Sequence, residues 1–403
     1  MTIDAGQVRG WGRLAFDATL GLTAVVEGMH LNISRAPGIL GAPATGGTRG
    51  ITGLVYGSIR SVTRLVATGF DAALAQIGSR ARDAAQEARR SPSEREALVS
   101  VLNGVVGDHL AATQNPLAIE MRVRHGGRAL VLERRDLATA IPRARSRVVV
   151  LVHGLCMGPQ RWSRLDHDHG EAIARDLGQT ALYLHYNSGL HVSTNGRMLS
   201  ALLERLVREW PVRLDELTLV GHSLGGLVAR SACHQASAAG HRWRRKLRSL
   251  VFLGAPHLGA PLERGGNRVD FILGMSPYTA SLAMLGRIRS AGITDLRHGS
   301  LLDEDWEARD RFGEDSAPAV VPLPDGVDCY AVAATTARDC RIADHLVGDG
   351  LVPVNSALGR HADPARTLAF PESHQFIGRG MNHFDLLSHP DVYGRIRTWL
   401  RRG

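Results

Sequence analysis

The sequence predicts an α/β fold: a mostly parallel sheet with helices on both faces, a helical insertion and a helical N-terminal extension. Three observations carry that expectation. The run Arg147–Val152 is unbroken and β-branched, the composition of a strand buried on both faces, as parallel sheets require. Strand-like runs recur at 180–186, 216–220, 249–253 and 327–335, with helix-compatible stretches at 168–177, 194–209 and 224–239 between most of them. The apolar run 217–220 leads through Gly221-His222-Ser223-Leu224-Gly225-Gly226 into a stretch of helical spacing, which makes a strand–turn–helix junction.

Taken in order, residues 1–112 read as helices. Trp11, Leu14, Ala18, Leu22, Val25, Met29 and Ile33 recur at three- and four-residue steps. A Gly/Pro/Ala stretch at 36–50 interrupts them. A clearer amphipathic stripe follows from Ile51 through Leu54, Ile59, Val62, Val66 and Phe70 to Ile77. Ser91-Pro92-Ser93-Glu94 then has the form of a helix start, with Ser91 as cap and Pro92 at the first helical position. From residue 113 onward the pattern changes to strands. Runs at 117–123 and 128–132 flank His125-Gly126-Gly127 as a hairpin, and a weaker strand is expected at 366–370. Between about 262 and 324 the alternation lapses. An excursion that long between two core strands reads as a cap over the site, with Leu273, Met275, Leu282, Met284, Leu285 and Ile288 as an apolar lining. The expected division is therefore 1–112, a helical extension, and 113–403, the main domain with its cap.

Composition narrows the function. The 403 residues carry a formal charge of +9, yet Lys246 is the single lysine, so nearly all the positive charge is arginine. That bias, with abundant alanine and glycine, is a property of the whole chain and points to no nucleic-acid partner. The densest basic run, 242–248, reads as a solvated face. Four cysteines, Cys156, Cys233, Cys329 and Cys340, form neither a dense framework nor a C-x-x-C pair, and reduced thiols are expected. With no basic-then-apolar leader and no long uncharged apolar run, a cytoplasmic location is expected. Contact with a membrane surface through residues 51–78 is the alternative to packing of the N-terminal helices.

The chemistry centres on Ser223. G-x-S-x-G between a strand and a helix is the setting of a nucleophile elbow. Gly221 and Gly225 lack the bulk that would keep strand and helix apart, and the helix start aims free N–H groups at a developing oxyanion. A second donor is expected after the strand ending at Val152, in His153-Gly154-Leu155-Cys156. The backbone N–H groups of Leu155 and Leu224 are thus the candidate oxyanion hole, with His153 and Gly154 shaping the loop. In this topology the order is nucleophile, acid, base. Asp339, Asp344 and Asp349 compete for the acid, and the glycine-flanked turn Gly348-Asp349-Gly350 favours Asp349. His374, His383 and His389 compete for the base, and the loop following Gly378-Arg379-Gly380 favours His383. Asp166-His167-Asp168-His169 looks like a metal cluster, but consecutive side chains diverge, so a solvated helix start is expected and no metal site is assigned.

Together these residues resemble the α/β-hydrolase superfamily, and within it triacylglycerol lipases and inositol-deacylase-like (GPI-type) serine esterases. The resemblance covers about 145–403. It rests on His153-Gly154, Gly-His-Ser-Leu-Gly-Gly at 221–226, Gly254-Ala255-Pro256-His257-Leu258-Gly259, Gly-Asp-Gly-Leu-Val-Pro at 348–353 and Asn382-His383-Phe384. It implies a cofactor-free serine hydrolase acting on small-molecule or lipid esters through an acyl-enzyme on Ser223. An acyltransferase using the same triad, or a non-catalytic scaffold that binds lipid or partners, are the alternatives. Some lipases of this kind bind calcium, but no dense carboxylate set is present to carry that over.

Overall fold

A computed structural model describes residue 10 and residues 92–260, 290–307, 318–337 and 348–401. The expected helices before Ser91, including the 51–78 stripe, lie outside the described residues, as do the cap residues 273–288 and Asp339, Cys340 and Asp344. The chain divides into two compact units, residues 1–91 with 110–118, and residues 92–109 with 119–403. The sheet and the candidate site belong entirely to the second.

That unit is built on eight strands: β1 Arg122–His125, β2 Arg128–Ala129, β3 Arg147–Val152, β4 Thr180–His185, β5 Glu216–His222, β6 Leu247–Leu253, β7 Asp328–Thr335 and β8 Gln375–Arg379. Their order is β2-β1-β4-β3-β5-β6-β7-β8. The hairpin β1–β2 is antiparallel and joins β4 antiparallel; every other pairing is parallel. Gly126 and Gly127, at φ 53° and 76°, make the turn between β1 and β2, the left-handed pair that a two-residue hairpin loop needs.

The helices of this unit run from α1 (Pro92–Ala112, of which 92–109 belong here) and α2 (Arg134–Ala140) through α3 (His169–Leu177), α4 (Val192–Glu209), α5 (Leu224–Ala239), α6 (Ala291–His298) and α7 (Val354–Ala357) to α8 (Pro390–Leu400). Alternate residues of the strands face opposite ways. Val149, Leu151, Val220, Val251 and Val332 therefore share one core with Ile173 of α3 and Val392, Ile396 and Trp399 of α8. On the other face α5 lies against β3, β5 and β6, with α4 packed on α5. Each fully buried Leu or Val in these layers contributes roughly 1.5–3 kcal/mol.

Local chemistry sets the helix ends. Pro92 opens α1 as expected. Asp168 caps α3, its carboxylate accepting from the N–H groups of Gly170 and Glu171. The four-residue Asp/His run is thus a helix start, although His169 is fully buried rather than solvated. His169 donates through Nε2 to the Leu386 carbonyl (2.9 Å), and its Nδ1 accepts from His167 (2.7 Å). Among the described residues no group of three or more His, Cys, Asp or Glu is placed to hold a metal, and no helix is long and apolar enough to cross a membrane.

The hairpin strands expected at 117–123 and 128–132 are only Arg122–His125 and Arg128–Ala129, and the last strand departs from the sequence reading altogether. The run 366–370 is a turn: Leu368 N–H bonds to Gly359 and Phe370 N–H to Leu368. Leu368 and Phe370 are apolar because they plug the body from a loop. The eighth strand is β8, paired to β7 from Ala331↔Gln375 to Thr335↔Arg379. It is an edge strand with one paired side, so Gln375, Gly378 and Arg379 are tolerated and its strand signal is weak.

Candidate active site

Register brings the site together. Val152 pairs with Gly221 and His222 with Leu253, so the loops after β3, β5 and β6 leave the sheet at one edge. At the end of β5 the chain turns through Ser223 at φ 53°, ψ −125°, a conformation a non-glycine residue holds only where its surroundings enforce it. Its N–H is held by the Leu253 carbonyl at 2.8 Å, and its carbonyl accepts from Gly226 at 2.9 Å. The flanking glycines are steric necessities. A Cβ on Gly221 would lie 2.6 Å from the Gly226 Cα, and one on Gly225 would lie 2.2 Å from the Val152 carbonyl oxygen. Gly225 is what lets α5 begin against the end of β3.

The loop after β3 comes flush against the serine, since a Cβ on Gly154 would sit 3.1 Å from the Ser223 Cβ. Four contacts shape it. His153 faces the Gly154 carbonyl at 2.9 Å, so its Nδ1 carries the proton. Its ring stacks on Tyr186 (4.4 Å between centroids), whose hydroxyl donates to the His153 carbonyl at 2.8 Å. Cys156, at φ 58°, donates its N–H to Ser188 Oγ at 3.1 Å. Among the described residues the N–H groups of Leu155 and Leu224 meet no acceptor, and both residues are buried beside Ser223. Burial holds the His153 imidazole down at about 4, which keeps it neutral as a brace, and pushes the Cys156 thiol up to about 12.

His383 and Asp349 form the other half. His383 Nδ1 lies 2.6 Å from Asp349 Oδ2, with both side chains almost wholly buried. Because the carboxylate accepts, Nδ1 carries the proton and Nε2 is left as an acceptor. Asp349 is locked by its other oxygen, which accepts the N–H groups of Leu351 (2.9 Å) and Val352 (2.8 Å), and by its carbonyl, which takes the His383 N–H at 3.1 Å. Gly350, at φ 98°, allows that turn. Asn382 shapes the histidine loop by accepting from the Phe384 and Asp385 N–H groups.

The competing histidines are occupied elsewhere. His374 donates to the Cys329 carbonyl (3.1 Å) and packs on Tyr330, while His389 caps α8. Cys156, Cys233 and Cys329 are free buried thiols.

Sequence reasoning missed His222. Its imidazole is fully buried, faces the His383 carbonyl through Nε2 at 3.1 Å and lies 4.6 Å from the His383 ring. It ties the elbow to the loop carrying the base. Desolvation holds it well below the ordinary histidine range, so it stays neutral beside the base. Tyr186 and Ser188 were missed too; both follow β4 and carry no motif.

Ser223, His383, Leu155, Met157, Leu351 and Phe384, with His222, Val352, Ala260 and Leu296, line one cleft. Apart from Ser223 and the two histidines, its walls are apolar.

The buried histidines also set acid stability. In the unfolded chain each takes a proton near pH 6.5. In the fold, burial delays that to about 4 for His153 and His169 and about 3 for His185. The unfolded state therefore binds more protons between these values, and stability falls as pH drops from 6.5 toward 4. The loss is on the order of 3 kcal/mol for each of His153 and His169. Thermal unfolding at stepped pH is expected to show Tm dropping over that window; a flat Tm from pH 7 to 4 would contradict it.

A parallel sheet in this order, with a strained serine between β5 and α5 and a buried Asp–His pair on the loops after β7 and β8, defines the α/β-hydrolase fold. Residues 143–321 match the model of the PGAP1-like alpha/beta domain family. Among solved structures, the chain is similar to the mature lipase BlEst2 of Bacillus licheniformis (18% identity, TM-score 0.40, covering 63% of this chain and 91% of that one). It is also similar to esterase Pf2001 of Pyrococcus furiosus (13%, TM-score 0.38, 65% and 82%). A third likeness is to EstE1, a thermostable carboxylesterase cloned from a metagenomic library (14%, TM-score 0.40, 77% and 98%). No curated protein matches the chain.

Proposed function

We propose that the protein is a serine hydrolase of carboxylic esters, with acyl or lipid esters as substrates. The observation that carries this is His383, held 2.6 Å from Asp349, lining the same cleft as a serine at positive φ. In this reading Ser223 Oγ attacks the ester carbonyl as His383 Nε2 takes its proton. Asp349 holds the ring in the required tautomer and stabilises the imidazolium. The N–H groups of Leu155 and Leu224 stabilise the oxyanion. His383 then returns the proton to the leaving alcohol, and water, activated the same way, releases the acid from Ser223. The apolar walls supplied by Leu155, Met157, Leu351, Val352 and Phe384 suit an acyl chain and offer no charge to a polar one.

The test is labelling with a fluorophosphonate followed by peptide mapping, alongside p-nitrophenyl esters of increasing chain length. A single adduct on Ser223 is expected, with turnover rising from acetyl to medium-chain esters. Folded protein that takes no label would overturn the reading.

A further inference from the structure

Along α5, seven residues beyond Ser223 and so about 10 Å down the helix axis, lies Arg230. It is 4% exposed. One of its Nη atoms donates to the Val321 carbonyl and the other faces His257 Nδ1 at 3.5 Å. Its Nε has no partner, and among the described residues no carboxylate forms an ion pair with it. Burial lowers it only to about 10, so it is charged at neutral pH. Asp305 attracts it through space without an ion-pair contact, and a buried guanidinium with an unpaired Nε is costly, a cost that a bound anion would relieve.

Arg230 opens into a cavity of about 600 Å³ that shares no residue with the Ser223 cleft. Arg244 lines it as well, with a second unpartnered Nε and one Nη on the Asp325 carbonyl. Arg245 and His234 are exposed at its edge. Against three guanidiniums the described lining has one carboxylate, Asp325. Ser237 adds a hydroxyl to the wall, and Leu247, Val321 and Leu323 give it an apolar stretch. We propose that this cavity binds an amphiphilic oxyanion, a phosphate- or carboxylate-headed molecule with a short apolar body. The head meets Arg230, Arg244 and Arg245, whose planar donor forks match such groups, and the body lies on the loop 321–324.

The experiment is isothermal titration of the full chain with octyl phosphate, inorganic phosphate and octanol. Octyl phosphate is expected to bind more tightly than inorganic phosphate, and octanol to give no heat. Arg244→Gln and Arg245→Gln are each expected to weaken octyl phosphate about tenfold, the worth of one charge-assisted hydrogen bond. Arg230→Met should abolish binding. Should that variant not fold, the Arg244→Gln/Arg245→Gln double variant carries the test, since both side chains reach solvent. Full affinity in the double variant, or no heat with the wild-type chain, overturns the proposal. Equal affinity for inorganic and octyl phosphate overturns the amphiphile assignment. None of these readouts depends on ester hydrolysis, so this inference and the proposed function fail separately.

Discussion

Ser223→Ala is expected to lower kcat toward p-nitrophenyl esters by about 10⁶-fold, with Tm nearly unchanged. The serine hydroxyl has no structural duty in the fold. What holds residue 223 is its backbone: the N–H on Leu253, the carbonyl on Gly226 and the glycines on either side. Alanine inherits the same strained φ of 53° at no added bulk, so the elbow persists without its nucleophile. Residual catalysis of about 10³–10⁴ over water is expected from the two N–H donors and the cleft alone. Steady-state kinetics with a melting curve on the same sample makes the comparison. Turnover within tenfold of wild type in folded Ser223→Ala would remove the serine from the chemistry.

Asp349→Asn is expected to cost about 10⁴-fold in kcat at neutral pH while leaving the turn folded. Asp349 Oδ1 accepts two backbone N–H groups, from Leu351 and Val352, at 2.9 and 2.8 Å. An asparagine must keep its oxygen there, because its amino group would face donors. Its NH₂ therefore turns toward His383, whose Nδ1 must now accept. The ring proton moves to Nε2, the atom that has to take the serine proton, and the base is disabled by tautomer rather than by distance. Hydrolysis assays on folded variant protein measure the loss. A loss below tenfold would move the acid to another carboxylate, with Asp339 and Asp344 the next to replace.

How much was legible in the chain varies with how local the cause is. Strands β3 to β7, the helices α3 to α5 and the junction at Ser223 were readable because their signals are runs of adjacent residues. Asp349 and His383 were readable because a glycine-framed turn and a glycine-flanked loop announce them, and chain order selects among few candidates. The eighth strand was misplaced because an edge strand needs little apolar character, whereas the loop at 366–370 is apolar for a reason unrelated to pairing. His222 looked like the unassigned x of G-x-S-x-G, and its link to the His383 carbonyl spans 161 residues of sequence.

By itself, then, the sequence determined the layered sheet and the glycine-framed turn at Ser223, because periodicity, glycine placement and motif order act over a few residues. Only the tertiary structure decided which nitrogen of His153, His222 and His383 faces its acceptor, which residues brace the loop beside Ser223, and that Arg230 is buried with no carboxylate in ion-pair contact among the described residues. Those facts follow from which carbonyls, rings and carboxylates are brought within a few ångströms by distant parts of the chain. Neither composition nor spacing encodes that proximity.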